Sequence, residues 1–232
     1  MNRQLGYDGV IVTIDGPAGA GKSSIAKQVA NALGFDFLDT GAMYRAVTLA
    51  AIRADVDWKD NKKLIAICRK AEIEFRDNAI FLAGEDVSPL VRMPSVTDVI
   101  RYIADVPEIR AILTLKQQKY AVNRDVVTEG RDQGSEVFPD AECKIFLTAS
   151  PDERARRRQH QLISIGRHVP LEDILAKQNQ RDLEDRMRPI GRLRPAPDAQ
   201  VLATDGMTAE QVLAATLAII RARRESFAVD AR

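Results

Sequence analysis

Apolar residues along this chain fall into short β-branched runs separated by stretches with helical spacing, a pattern of alternating strands and helices. Val10 to Ile14 (VIVTI), bounded by Gly9 and Asp15, reads as a strand buried on both faces. Ile25, Ala26, Val29, Ala30 and Leu33 then recur at helical spacing up to Gly34, a natural left-handed cap. A second strand near Phe35 to Leu38 leads through Asp39, Thr40 and Gly41 into a helix reaching about Arg53. From Leu64 the rhythm changes: a helix to about Ala71 is followed by apolar runs at Ile73 to Phe75 and Ile80 to Leu82, with Arg76, Asp77 and Asn78 as the turn of a hairpin. Ser95 is placed to cap a short helix, and Pro107 opens a longer one to about Asn123. Strands are expected at Val126 to Thr128, followed by a charged turn from Glu129 to Asp132, and at Cys143 to Leu147. A basic helix begins at Pro151, Gly166 interrupts it, and a second runs from Pro170 or Leu171 to Met187. Pro189 to Pro197 cannot be regular helix. A strand near Gln200 to Leu202 and a helix from Thr208 to Arg224 close the chain.

Composition narrows the class. With 232 residues, 45% of them hydrophobic and 29% charged, the chain can bury a core without metal or disulfide staples. A formal charge of +1 gives no general case for nucleic-acid binding, so any basic function is local. Cys68 and Cys143 stand in apolar segments without a C-x-x-C pair, as buried free thiols would in a reducing cytoplasm. The polar stretch Met1 to Gly9 and the early end of the first apolar run do not make a signal peptide. No stretch approaches the roughly 18 to 20 apolar residues of a membrane span. A cytoplasmic monomer without membrane or nucleic-acid partners is the expectation.

The chemistry begins at Gly16-Pro17-Ala18-Gly19-Ala20-Gly21-Lys22-Ser23, which matches G-x-x-x-x-G-K-[ST] between a predicted strand and a predicted helix. Gly16, Gly19 and Gly21 let the backbone curl and aim its N–H groups at phosphate oxygens. The helix that follows contributes the positive end of its dipole, Lys22 a mobile ammonium and Ser23 a candidate Mg²⁺ ligand. A flexible glycine turn would explain the glycines but not Lys and Ser at these offsets. The loop does not fix the reaction, because many enzyme classes share it.

Acceptor residues are sought at the same carboxyl edge of the sheet. Thr40 and Arg45 follow the second strand, and Arg131 and Asp132 follow the strand at Val126. Arg131 can hold a phosphate as a bidentate fork, and Asp132 can accept from an amino group. Arg181, Asp185 and Arg188 are spaced by four and three, on one helical face. Arg154, Arg156, Arg157 and Arg158 crowd the basic helix, with Arg154 and Arg158 four apart, so a mobile lid could deliver an arginine to a transferring phosphoryl group. His160 and His168 read as surface residues.

With those residues in place, the sequence resembles the bacterial cytidylate kinases, within the nucleoside monophosphate kinase group. The resemblance rests on IDGPAGAGKSS (Ile14 to Ser24), FLDTGAMYRA (Phe37 to Ala46), EGRDQGSEVFPDA (Glu129 to Ala141), KIFLTAS (Lys144 to Ser150), RDLEDR with Arg188, and PAPDA (Pro195 to Ala199). It implies an α/β P-loop NTPase fold: a central parallel sheet flanked by helices, an inserted acceptor subdomain with a small antiparallel sheet, and a helical lid. The core would comprise 1–63, 107–150 and 189–232, the insertion 64–106, and the lid with its adjoining helix 151–188. The implied reaction is transfer of the γ-phosphate of ATP, with Mg²⁺, to CMP or dCMP. By similarity, Gly16 to Ser24 bind ATP; Thr40 lies at the acceptor; Arg45 and Arg131 hold the CMP phosphate; Arg181 and Asp185 the sugar; and Arg110, Asp132 and Arg188 the cytosine. Lys22, Arg131, Arg154 and Arg158 would carry the catalysis. The chain departs from the family pattern at Glu129, where Asp is usual; at Arg101, where relatives can present a small hydroxyl; and at Arg192-Leu193, where Pro-Leu is common. A kinase for UMP, AMP or shikimate, or a regulatory ATPase, is the competing reading.

Overall fold

The computed structural model describes residues 9–76 and 79–230, with side chains described as far as 223. Asp77 and Asn78, the expected hairpin turn, lie outside the described residues. The chain divides into two compact units, one drawn from Met1–Phe37 and Ala121–Arg232, the other from Leu38–Tyr120. In the first unit, β1 (Ile11–Asp15) is buried along its whole length, as its apolar, β-branched sequence requires. Helix α1 (Lys22–Leu33) starts at Gly21 and stops at Gly34, both in the left-handed region with φ of 86° and 70°. Glycine is the residue that enters that region without a Cβ clash, so both helix ends were visible in the sequence. Strand β2 (Asp36–Asp39) follows, and its Asp36 N–H donates to the Asp125 carbonyl at 2.8 Å.

The second unit opens with α2 (Thr40–Arg53), whose N-terminus is capped by the Asp39 carboxylate accepting from the Ala42 N–H at 2.7 Å. Helix α3 (Asn61–Lys70) is capped in the same way by Asp60. The expected hairpin is present as β3 (Ile73–Arg76) and β4 (Ala79–Leu82), joined by a short third strand, β5 (Glu85–Asp86), that the sequence pattern did not announce. Two one-turn helices, α4 (Pro94–Thr97) and α5 (Arg101–Ala104), precede α6 (Pro107–Ala121). Ser95 is not the cap of α4: Pro94 takes the first helical position, where its missing N–H costs nothing, and Met93 stands at the cap.

Back in the first unit, β6 (Val126–Gly130) and β7 (Cys143–Thr148) flank β1 in parallel, with Ile11 opposite Val126 and Val12 opposite Cys143. Glu129 and Gly130 do not form the expected turn. They extend β6, pairing with Ile14 and Asp15, because the ladder with β1 continues to the end of both strands. A π-helical turn from Gln133 to Val137 follows. Helices α7 (Pro151–Ile163) and α8 (Leu171–Met187) form a hairpin with a small core of its own around Ala155, Leu162 and Ile174. Strand β8 (Gln200–Ala203) pairs with β7, and α9 (Ala209–Asp230) runs past the expected end at Arg224. The sheet order is β2-β6-β1-β7-β8. Val12, Ile14, Val127, Ile145 and Leu147 turn one face of the sheet toward Ile25 and Val29 of α1 and Val212 and Ile220 of α9, closing the main core. Thr13 and Asp15 alternate onto the other face.

Candidate active site

The loop from Gly16 to Ser23 joins the carboxyl end of β1 to the N-terminus of α1. Gly16, Gly19 and Gly21 all have positive φ, at 148°, 77° and 86°. At Gly16 the reason is also steric, since a Cβ there would lie 2.0 Å from the Leu147 carbonyl oxygen. Pro17 closes the loop inward: its carbonyl accepts from the Lys22 ammonium at 2.8 Å. Lys22 is 5% exposed. Burial, then the nearby Arg131 guanidinium, push its pKa down to about 7 against the pull of Glu129 and Asp15. Ala20 is buried, Ser24 is exposed, and the Ser23 hydroxyl donates to Glu129 at 2.6 Å.

Glu129 is one of the three places where this chain departs from the family pattern, and its longer side chain accepts directly from Ser23. A hydroxyl beside a carboxylate is a hard-oxygen pair of the kind Mg²⁺ takes when nucleotide phosphates and water supply its other ligands. Among the described residues no group of three or more His, Cys, Asp or Glu side chains could hold a metal ion. The Ser23 and Glu129 oxygens offer a pair that fits a Mg²⁺ ion.

Arg131, just beyond β6, donates through Nε to Asp185 at 2.8 Å, and Arg188 pairs with the same carboxylate at 2.7 Å. Burial would raise the Asp185 pKa, but Arg131 and then Arg188 outweigh it and hold the carboxyl below its ordinary value. Burial likewise acts against the Arg131 charge, and Asp185 reverses the balance upward. Asp132 is buried beside them in sequence, at 6% exposure. The inward face of α8 carries Gln178, Asp182 and Asp185, with Arg181 half-buried at its margin and Arg188 at the C-terminal cap.

The basic helix separates residues that its spacing groups together. Arg154 is 2% exposed, donating to the carbonyls of Ala149 at 3.0 Å and Ala18 at 2.8 Å, and it pairs with Asp182 at 2.8 Å. The same Asp182 accepts from the Ala18 N–H at 3.4 Å, so one ion pair from α7 and α8 holds both sides of a phosphate-loop residue. Arg158 is exposed and donates to Gln161 at 2.6 Å. Arg157 is answered by Glu153 at 2.9 Å and by Thr204, so the crowding of positive charge is partly relieved within the chain itself. His160 and His168 are exposed, as expected.

In the second unit, Thr40 is buried at the first position of α2. Arg45, one turn on, reaches back to Asp39 at 3.3 Å, and Arg92 approaches the other oxygen of that carboxylate at 3.4 Å. Arg110 is 6% exposed, donates to the Ala104 carbonyl at 3.1 Å and stands 5.3 Å from the centre of the Tyr44 ring.

Three acidic residues central to this geometry escaped the sequence reading as site members. Asp182 holds the phosphate loop through Arg154; Asp39 gathers Arg45 and Arg92; Asp15 accepts the backbone N–H groups of Gln133 and Gly134. The available signal was the placement of Asp15 and Asp39 at the ends of apolar strands, where an uncompensated carboxylate is costly.

The sequence profile of the cytidylate kinase family matches residues 12–222. A cytidylate kinase of Rhodopirellula baltica is 58% identical over 212 residues, covering 91% of this chain and 93% of its own. One from Caldanaerobacter subterraneus subsp. tengcongensis is 42% identical over 212 residues, 91% of this chain and 95% of its own. Among solved structures, a gluconokinase from Sinorhizobium meliloti 1021 superposes with a TM-score of 0.52 at 17% identity, covering 98% of this chain and all of the other, a likeness of fold alone. With the profile spanning most of its length and the first of these relatives more than half identical to it, this chain belongs to the cytidylate kinase family.

Proposed function

We propose that the chain transfers the γ-phosphate of ATP to CMP or dCMP, giving ADP and CDP or dCDP, by in-line displacement with Mg²⁺. The observation that carries this reading is the match to the cytidylate kinases, supported by Arg131 and Arg188 meeting on the Asp185 carboxylate at 2.8 and 2.7 Å, where cations beyond the phosphate loop suit a second phosphate.

Residues Gly16 to Ser24 bind ATP, with Lys22 supplying positive charge as the γ-phosphoryl group leaves. Ser23, backed by Glu129, would hold a Mg²⁺ ion, which would supply positive charge against the phosphate oxygens. Arg131 and Arg45 are assigned to the acceptor phosphate, each a fork suited to bidentate contact. Asp132 accepts from the cytosine amino group, with Arg110 and Arg188 as donors to the ring; uracil would present a carbonyl to Asp132 and be disfavoured. Arg181 and Asp185 take the sugar, and Thr40 lies at the acceptor. Arg154 and Arg158 belong to the hairpin of α7 and α8, which with its own small core suits a lid spanning 151–188. By role we assign the core to 1–63, 107–150 and 189–232 and the acceptor insertion to 64–106, the latter inside the compact unit Leu38–Tyr120. The acceptor oxygen is already ionised at neutral pH, so no strong general base is needed. We assign the activity to a cytoplasmic monomer acting on small molecules; the near-balance of charges, +1 overall, supports small-molecule substrates over nucleic acid.

The test is a panel of CMP, dCMP, UMP and AMP with ATP in an assay coupled to ADP release. CMP and dCMP should be turned over fastest. Faster turnover of UMP or AMP overturns the assignment, and slow hydrolysis indifferent to every monophosphate would point to a regulatory ATPase.

A further inference from the structure

Asp15 has no part in the roles assigned above, yet its carboxylate spans two elements of the site. It is the last residue of β1, bonded directly to Gly16, and is 3% exposed. One oxygen accepts from the Gln133 N–H at 2.9 Å and the other from the Gly134 N–H at 2.8 Å. Arg131 and Asp132 immediately precede those two residues. A single side chain therefore ties the first residue of the phosphate loop to the segment assigned to acceptor phosphate and base.

The surroundings leave that segment little room. A Cβ at Gly134 would lie 2.7 Å from the Thr13 hydroxyl and 3.2 Å from side-chain carbons of Lys144, and Thr128 donates to the Gln133 side chain at 2.9 Å. The phosphate loop has other anchors. Gly16 packs on Leu147, Lys22 donates to Pro17, and Ala18 is held between Arg154 and Asp182. Loss of the Asp15 contact would free the acceptor side more than the donor side.

We propose that Asp15 is a positioning residue that sets where Arg131 and Asp132 stand relative to the phosphate loop, controlling acceptor capture without governing the hold on ATP. This rests on the CMP kinase reading. Asp15→Asn keeps one acceptor but turns an amide N–H toward a backbone N–H. Gly134→Ala keeps the carboxylate but pushes the backbone away from it.

The experiment compares the parent protein, both single variants and the double variant, measuring kcat and KM with CMP varied and ATP dissociation with a fluorescent ATP analogue. Each single variant should lose about tenfold or more in kcat/KM for CMP, the size of one charge-assisted hydrogen bond. Gly134→Ala, which keeps the Asp15 charge beside Lys22, should hold ATP within about twofold of the parent. The double variant should be little worse in kcat/KM than either single, since both break one contact. Loss of ATP affinity in Gly134→Ala in step with kcat/KM, unchanged kinetics or additive losses would each overturn the proposal. If Asp15→Asn fails to fold, Gly134→Ala decides by the same criteria. A parent protein inactive on CMP would instead remove the underlying reading.

Discussion

Lys22 combines burial with a neighbouring guanidinium, and its proton is correspondingly loosely held, with a pKa near 7. Above that value the free protein carries a largely neutral lysine. Triphosphate brought against it favours the ammonium, so binding must draw a proton from solvent. Asp15, pushed up to about 7 chiefly by burial, is mostly ionised at pH 8 and is drawn toward protonation by the same negative charge, so Asp15→Asn is measured alongside to isolate the Lys22 contribution. Calorimetry of ATP binding at pH 8 in buffers of different ionisation enthalpy should reveal uptake approaching one proton, fading at pH 6 where Lys22 is already charged. Binding heats independent of buffer at pH 8 would contradict the assignment. The loop itself was readable because Lys and Ser follow the glycines at fixed offsets. Asp15 and Asp182 were not, since their backbone partners lie far along the chain and no spacing rule connects them.

Among the elements, the pairing of α7 with α8 through Arg154 and Asp182 deserves a direct test of its strength. Both side chains are 3% exposed, and their 2.8 Å approach is a contact of charge without the alignment of a full hydrogen bond. Asp182→Asn would strand a buried guanidinium. The expected cost is about 3 kcal/mol or more in urea or thermal unfolding, because removing one partner of a buried pair leaves the other uncompensated. A change below about 1 kcal/mol would place the pair among the surface bridges that contribute little. Helix and strand boundaries were largely legible here: Gly34, Pro107 and Pro151 are strong punctuation, and the hairpin was marked by its apolar runs. The end of β6 was misread because Glu129 and Gly130 resemble a turn by composition, and only the partner strand makes them extended. The π-helical turn has no sequence periodicity to announce it.

For the molecule as a whole, the two cysteines report on integrity. Cys68 and Cys143 are buried and free, and burial lifts both thiols to about 11. Their thiolates are scarce at neutral pH, so a disulfide reagent should label the native protein slowly and both thiols rapidly in denaturant. Fast labelling of the native state would show the interior opening far more often than its packing implies. The α/β class was legible from strand and helix alternation, because buried parallel strands need little more than apolar runs. The order of strands was not, since pairing across the sheet leaves no mark on either strand alone. That order has a consequence for how the protein comes into being. β1 precedes both β6 and β7 along the chain but sits between them, and its opposite number, Val126, emerges only after the whole of Leu38–Tyr120 has been synthesised. During translation the strand that carries the phosphate loop therefore waits, sticky and unpaired, while an uninterrupted segment can gather around its own local contacts, and the sheet assembles late.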